Sequence, residues 1–155
     1  MSKPGFFDLQ SRLRKIDRNG DPLSKLNDLV PWESFREELE TIHEKPRKSM
    51  AGRKPFDVIL MFKMMVLQSL YNLSDDQTEQ QVLDRLSFMR FLGLELGDAV
   101  PDAKTIWLFR ERLKDAGLVE TIFEKFNAFL TQHGFAAQKG QIVDASIVSV
   151  PKQRN

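Results

Sequence analysis

An acidic residue lies in the middle of the most β-branched stretch of the chain. Asp144 follows Ile142 and Val143 within the segment GQIVDASIVSVP at residues 140–151. Such a run, bounded by glycine and proline, is typical of a buried interior strand. A carboxylate there costs several kcal/mol unless it is paired or bound to a cation. Asp144 is therefore either a partner in a structural ion pair or one ligand of a divalent metal ion.

A second group of residues combines cations with an aromatic ring on one predicted helix that begins at Pro101 or Asp102. With 100° per residue, its polar arc of about 120° is separate from an apolar arc of about 60°. The polar arc holds Lys104, Trp107, Arg110 and Lys114, and the apolar arc holds Ile106, Phe109 and Leu113. One face therefore belongs to the core, and the other could contact phosphates or bases. Arg110 and Arg112 could instead pair with Glu111 or other acids among the helices.

The densest positive stretch is EKPRKSMAGRKP at residues 44–55, where five cations accompany one acid. Proline and glycine predict a loop. Arg53 and Lys54 at its end are candidate phosphate contacts, although a basic loop is more often only a solvated surface.

These candidate sites must be positioned by a core helix over residues 57–73. Twelve of those seventeen residues are apolar, which predicts a helix surrounded by other helices. The segment is slightly short for a membrane span and contains Lys63, so no membrane contact is expected.

Four further helices are predicted around this core. Their starts and ends are indicated by proline, N-cap residues and glycine. The first begins at Pro31 and has Trp32, Phe35, Leu39 and Ile42 as its apolar face. The second begins at Ser74, which forms a capping box with Gln77, and ends at Gly93. The third begins at Pro101 or Asp102, and the fourth runs from Leu118 to Gln132.

The last two of these helices are joined by the short turn Asp115-Ala116-Gly117, which gives the outline of a helix-turn-helix. Lys125 is the only cation on the second helix. If this hairpin contacts DNA, we therefore expect the first helix to do so.

Composition and charge limit the class of protein. The 155 residues carry a net charge of +1 and no cysteine, which excludes disulfides and thiolate metal sites and fits a reducing cytoplasm. Residues 2–21 hold Arg12, Arg14, Lys15 and Arg18 among few apolar residues, and residues 1–30 are predicted to form a mobile or loosely docked basic arm, which is either a DNA contact or a solvated terminus. Any polyanion would have to bind local patches, because the overall field is weak.

The predicted fold is mainly α: a multi-helix N-terminal domain over residues 31–136 with a helix-turn-helix-like hairpin, followed by one strand within residues 137–155. No other segment has the pattern of a strand. The strand is therefore expected to pair with segments beyond Asn155 or in another chain.

Six segments of the chain, in order, are similar to signatures of bacterial insertion-sequence transposases of the insertion-sequence-five group. They are PW at 31–32, GRKPFD at 52–57, LYNLSDDQTE at 70–79, DRLSFMRFLGL at 84–94, PDAKTIWLFRERL at 101–113 and VDASIV at 143–148. The resemblance implies a helical N-terminal domain, followed by a ribonuclease H-like catalytic domain that is truncated here. It places the first acid of a DDE triad, which is both catalytic and a metal ligand, on Asp144.

The same resemblance implies DNA with terminal inverted repeats as the partner, together with a homo-oligomer or a full-length transposase, in the bacterial cytoplasm near the nucleoid. The complete transposase is expected to use Mg²⁺ or Mn²⁺. No acid follows Asp144 in this chain, so it is expected to hold no metal tightly and to be inactive alone. The alternative function is a non-enzymatic helical protein-interaction or regulatory domain.

Overall fold

The structure, a computed structural model, describes residues 5, 7–43, 54–138 and 141–144, with 137–138 and 141–144 described by their backbone alone. The described part is mainly helical, as predicted. Its α-helices are α1 Asp8–Arg18, α2 Pro22–Leu29, α3 Arg36–Glu40, α4 Val58–Tyr71, α5 Asp75–Asp84, α6 Leu86–Leu92, α7 Ala103–Asp115 and α8 Val119–Gln132. Short 3-10 turns at Trp32–Phe35 and Thr41–His43 flank α3.

Helix α4 forms the centre of the core, as its apolar sequence predicts. Ten of its fourteen residues are buried. Phe62 lies among aromatic rings from two other parts of the chain, with centroid distances of 5.0 Å to Phe35, 5.9 Å to Trp32 and 5.7 Å to Phe123. Edge and tilted ring contacts of this kind add to the free energy gained from burying the rings.

Lys63 is the one cation on α4, and its ammonium stays within the fold. It donates hydrogen bonds to Asn27 Oδ1 at 2.8 Å and to the Phe91 carbonyl at 3.0 Å. It also lies 5.0 Å from the centroid of the Trp32 ring. Phe91 is in the last turn of α6, where helix carbonyls lack partners, so Lys63 caps that helix from a neighbouring one. Burial lowers the pKa of this ammonium.

The single helix predicted from Ser74 to Leu92 is in fact two helices. The capping box of Ser74 and Gln77 starts α5 as expected, but the backbone is extended at Arg85 and α6 starts afresh. On a continuous helix, Phe88 and Phe91 would point 120° to 180° away from Val82 at 100° per residue. The break allows all three residues to be buried.

The loosely docked arm predicted for residues 1–30 is wrong for its second half. Leu23 and Leu26 of α2 are each only 2% exposed. Arg90 of α6 binds both Asp17 and Asp21, with Nη2 at 2.7 Å from an oxygen of each. Leu23, Leu26 and this ion pair anchor the segment, and the spacing of three between the leucines is the sequence signal that the prediction missed.

The predicted strand is present as β2, Gln141–Asp144, but its partner was not expected. It pairs antiparallel with β1, Phe135–Gln138, which lies against α8. The expectation that the partner strand lies outside this chain is therefore wrong. Phe135–Gln138 reads FAAQ and has no β-branched residue, so its strand conformation comes from packing rather than from propensity. Residues 145–155 lie outside the described part.

No helix among the described residues is both long enough and apolar enough to cross a membrane.

Candidate nucleic-acid interface

The candidate interface is organised by α7, whose first turn is fixed from two sides. Asp102 is the N-cap and accepts a hydrogen bond of 2.8 Å from the Thr105 amide. Glu79 of α5 accepts a second one, also of 2.8 Å, from the Ala103 amide. Two of the amides that lack a helical partner at the start of α7 thereby gain one. The bond to Glu79 also fixes how α7 is rotated about its own axis relative to α5.

The inner face of α7 is the one that the sequence predicts. Ile106, Phe109 and Leu113 are at most 5% exposed. Lys104 and Lys114 are exposed on the other side, together with Trp107 at 49% and Leu108 at 39%. We refer to Lys104, Trp107, Leu108 and Lys114 as the α7 surface. It combines two cations with two apolar side chains, which suits contacts to phosphates and to base faces or methyl groups.

Arg110 shares the predicted polar arc, but its guanidinium is bound within the protein. Its Nη1 and Nη2 lie 2.8 Å and 2.7 Å from the two carboxylate oxygens of Asp75, and Nη1 lies 3.1 Å from Gln68 Oε1. The hydrogen bonds from Arg110 lower the pKa of Asp75, and the pKa of Arg110 is raised in turn. This geometry supports the internal ion pair that the sequence left open for Arg110, because the same donors would have to leave Asp75 to reach a phosphate.

Lys54 lies beside α7, although it comes from the distant basic loop. It lines a cavity of about 220 Å³ together with His43, Leu108 and Arg112. Lys54 and Arg112 are both exposed. From the sequence, Arg112 was predicted only to pair with a nearby acid. In the structure it supplies a further cation at this edge of α7. Arg53 lies outside the described residues.

Helix α8 does not offer a positive surface. Its one cation, Lys125, donates hydrogen bonds of 2.7 Å to the Ser34 carbonyl and 2.8 Å to Glu38 Oε1. Glu120 and Glu124 are exposed on the same helix. The second helix of the hairpin would therefore repel a phosphate backbone, whereas the second helix of a helix-turn-helix normally lies in the major groove.

Asp144 is the last described residue of β2, and its backbone is in register with Phe135. Its side chain lies outside the described part of the structure. Among the described residues, no three His, Cys, Asp or Glu side chains come together as a possible metal site.

Comparison with known families gives one match, and it covers most of the helical region. Residues 10–112 match the family described as a transposase domain (DUF772). The matched span runs from α1 through most of α7, so it includes residues 10–30 of the predicted arm and most of the α7 surface. No solved structure matches the chain.

Proposed function

The chain belongs to the transposase domain family, and from this premise we propose that it is the DNA-binding N-terminal region of a DDE transposase. In this proposal it acts in transposition by binding the terminal inverted repeats of an insertion sequence. The six segments similar to the insertion-sequence-five group support the narrower assignment.

The observation that carries the proposal is the α7 surface. Trp107 is about half exposed, between the exposed cations Lys104 and Lys114 on a helix whose opposite face is buried. Trp107 and the adjacent Leu108 are both exposed, and a partner that covers them gains the free energy of burying their apolar surface. Flanking cations make an anionic, base-containing partner the best fit.

The proposed roles differ among the site residues. Lys104, Lys114 and Lys54 contact phosphates, with Arg53 beside Lys54 in the sequence. Trp107 packs against a base or sugar. Arg110 acts indirectly in this proposal, because its bond to Asp75 holds α7 against the start of α5.

A binding assay can separate sequence recognition from charge alone. We expect the protein to bind a duplex carrying the inverted repeats that flank its gene more tightly than a scrambled duplex of the same composition. Trp107→Ala should reduce that preference, because a base contact distinguishes sequences. Lys104→Gln with Lys114→Gln should weaken binding to both duplexes. It should also reduce the slope of log K against log salt concentration by about two.

The control is Lys25→Gln with Arg85→Gln, which removes the same charge from exposed positions on α2 and beside α6. Equal binding of the two duplexes by the unaltered protein would contradict the proposal. It would favour the alternative, a protein-interaction domain in which Trp107 and Leu108 cover a protein partner.

We propose further that Asp144 is the first acid of the triad, as the match of VDASIV implies. Mg²⁺ or Mn²⁺ would supply Lewis-acid chemistry at such a site in a complete transposase. Asp144→Asn should leave duplex binding unchanged in this chain, because it alters none of the proposed contacts. A loss of binding would show that Asp144 has a structural or DNA-contacting role.

The proposal also includes self-association, or association with a full-length transposase, and a cytoplasmic setting near the nucleoid. Pairing of two chains would be seen as a concentration-dependent mass in sedimentation, and a constant monomer mass with and without duplex would contradict it.

A further inference from the structure

Helix α1 is a cationic helix that the transposase assignment leaves without a role. Its exposed cations are Arg12, Arg14, Lys15 and Arg18. With 100° per residue, Arg14, Lys15 and Arg18 fall within an arc of about 100°. None of the four forms an ion pair with another described residue. By contrast, Arg36, Arg90 and Arg110 each bind a carboxylate within the fold.

The apolar side of α1 is used to hold the helix on the domain. Leu9, Leu13 and Ile16 share an arc of about 60°; Leu13 and Ile16 are half-buried, Leu9 is 38% exposed, and α1 lies along α6. No residue of α1 is fully buried. The helix is therefore attached at the surface, with its cations directed away from the core.

Arg90 fixes the C-terminal end of α1 and neutralises the nearby acids at the same time. Its guanidinium is 3.1 Å and 2.7 Å from the two Asp17 oxygens and 2.7 Å from Asp21 Oδ2. The side chain of Asp21 is only 4% exposed, and it also caps α2 by accepting a hydrogen bond of 3.0 Å from the Leu23 amide. The Arg90 bridge thus ties α1, the turn and α2 to α6, so that α1 is held in one orientation.

From this arrangement we infer that α1 is a second DNA contact, which binds the phosphate backbone of a duplex without reading its sequence. The inference rests on the proposed DNA-binding function and extends it to a surface outside α7. The helix is about 16 Å long, and Arg14 and Arg18 are separated by about 6 Å along its axis, close to the axial rise of two base pairs. The outer face of α1 presents Arg14, Lys15 and Arg18, and Leu9 is the one exposed apolar side chain of this helix, so the outer face offers cations rather than an insertion surface for lipid.

The test uses the whole chain and a mixed-sequence duplex, since a phosphate contact needs no particular sequence. Arg14→Gln with Arg18→Gln should weaken binding at least roughly fivefold at moderate salt and flatten the dependence of log K on log salt by about two units. The matched control, Lys25→Gln with Arg85→Gln, loses the same charge and should change the slope by much less. Circular dichroism checks that all variants keep their helices.

A second variant tests the position of α1 rather than its charge. Asp17→Asn makes the protein more positive by one charge, so a purely electrostatic effect would tighten binding. If the Arg90 bridge holds α1 in its binding orientation, Asp17→Asn should instead weaken binding to the same duplex. Tighter binding would show that the bridge has no positioning role.

The outcomes separate this inference from the proposed function. If the unaltered protein binds no duplex even at low salt, the DNA-binding function itself is wrong. If it binds, and the Arg14 and Arg18 variant has the same affinity and salt slope, only the role of α1 is overturned. If that variant instead loses binding to phosphatidylserine vesicles while duplex binding is unchanged, α1 is a membrane contact and the inference is wrong.

Discussion

At the scale of single residues, Lys63 shows how a cation can stabilise an apolar core. Its ammonium supplies the partner for a carbonyl at the end of α6 and reaches Asn27 on α2. It therefore links three helices through one side chain. In the sequence it appears only as an interruption of the apolar run.

We predict that Lys63→Met lowers the free energy of unfolding by about 1–3 kcal/mol. Methionine can occupy the space of the lysine stem, but it leaves the Phe91 carbonyl without its donor. Urea denaturation measures the change. Lys25→Met, at an exposed position, is the control and should stay within about 0.5 kcal/mol of the original. Similar values for both variants would show that water replaces the Lys63 hydrogen bonds without cost.

The Asp75–Arg110 pair has a consequence for acid stability. The Arg110 hydrogen bonds hold the pKa of Asp75 below its ordinary value of 3.8. The unfolded chain then binds a proton at higher pH than the folded one. The stabilisation by Asp75 is therefore complete above its unfolded pKa and is lost as pH falls through its lower, folded pKa.

We predict that Asp75→Asn lowers the free energy of unfolding at neutral pH by about 1 kcal/mol, since the pair is partly exposed. The variant should also lose less stability than the original protein between about pH 4 and pH 2. Asp76→Asn is the adjacent control, because Asp76 is exposed and forms no ion pair with another described residue. If the free energy of unfolding depends on pH in the same way for the original protein and Asp75→Asn, Arg110 does not lower the pKa of Asp75 as assigned.

At the scale of elements, the parts predicted from the sequence are those fixed by local patterns. The apolar run of α4, the Ser74 capping box and the buried face of α7 all depend on residues close together in the chain. Short-range periodicity and capping specify such features directly.

The parts that the sequence did not predict depend on distant contacts. The break at Arg85 follows from the need to bury Phe88 beside other helices, and β1 follows from packing on α8. The docking of α2 and the engagement of Arg110 likewise depend on partners 35 or more positions away. For the candidate site, periodicity predicted Lys104, Trp107 and Lys114 of the α7 surface, but it did not predict Leu108 and could not distinguish Lys104 from Arg110.

The β1–β2 hairpin provides an element-scale prediction. Deleting residues 139–155 removes β2 but keeps Phe135, which is partly buried against the core. We expect unchanged helicity and a loss of at most about 1 kcal/mol, or roughly 2–4 °C in melting temperature. Deleting residues 134–155 should cost more, because the contacts of β1 with α8 are then lost. Equal melting temperatures for the two deletions would show that β1 adds nothing to the helical core.

At the scale of the whole molecule, the net charge of +1 makes the arrangement of cations more important than their number. A nearly neutral protein creates little long-range attraction for DNA. In the proposed function, binding to DNA would then come from surfaces where cations are concentrated and not already paired. In the described part, α1 and the α7 surface both meet this condition, whereas α8 exposes acids and its one lysine is engaged.

If both surfaces contact one duplex at the same time, their contributions should add. The two helices share no ion pair or hydrogen bond in the described part of the chain, and distant, independent sites are additive within about 0.3–0.5 kcal/mol. A protein carrying Arg14→Gln, Arg18→Gln, Lys104→Gln and Lys114→Gln should therefore show a loss of binding free energy equal to the sum of the two pairs. The slope of its log K against log salt concentration should be smaller by about four. Fluorescence anisotropy over a salt series measures both quantities. If the combined variant binds as tightly as the weaker-binding of the two pair variants, only one of the two surfaces contacts the duplex.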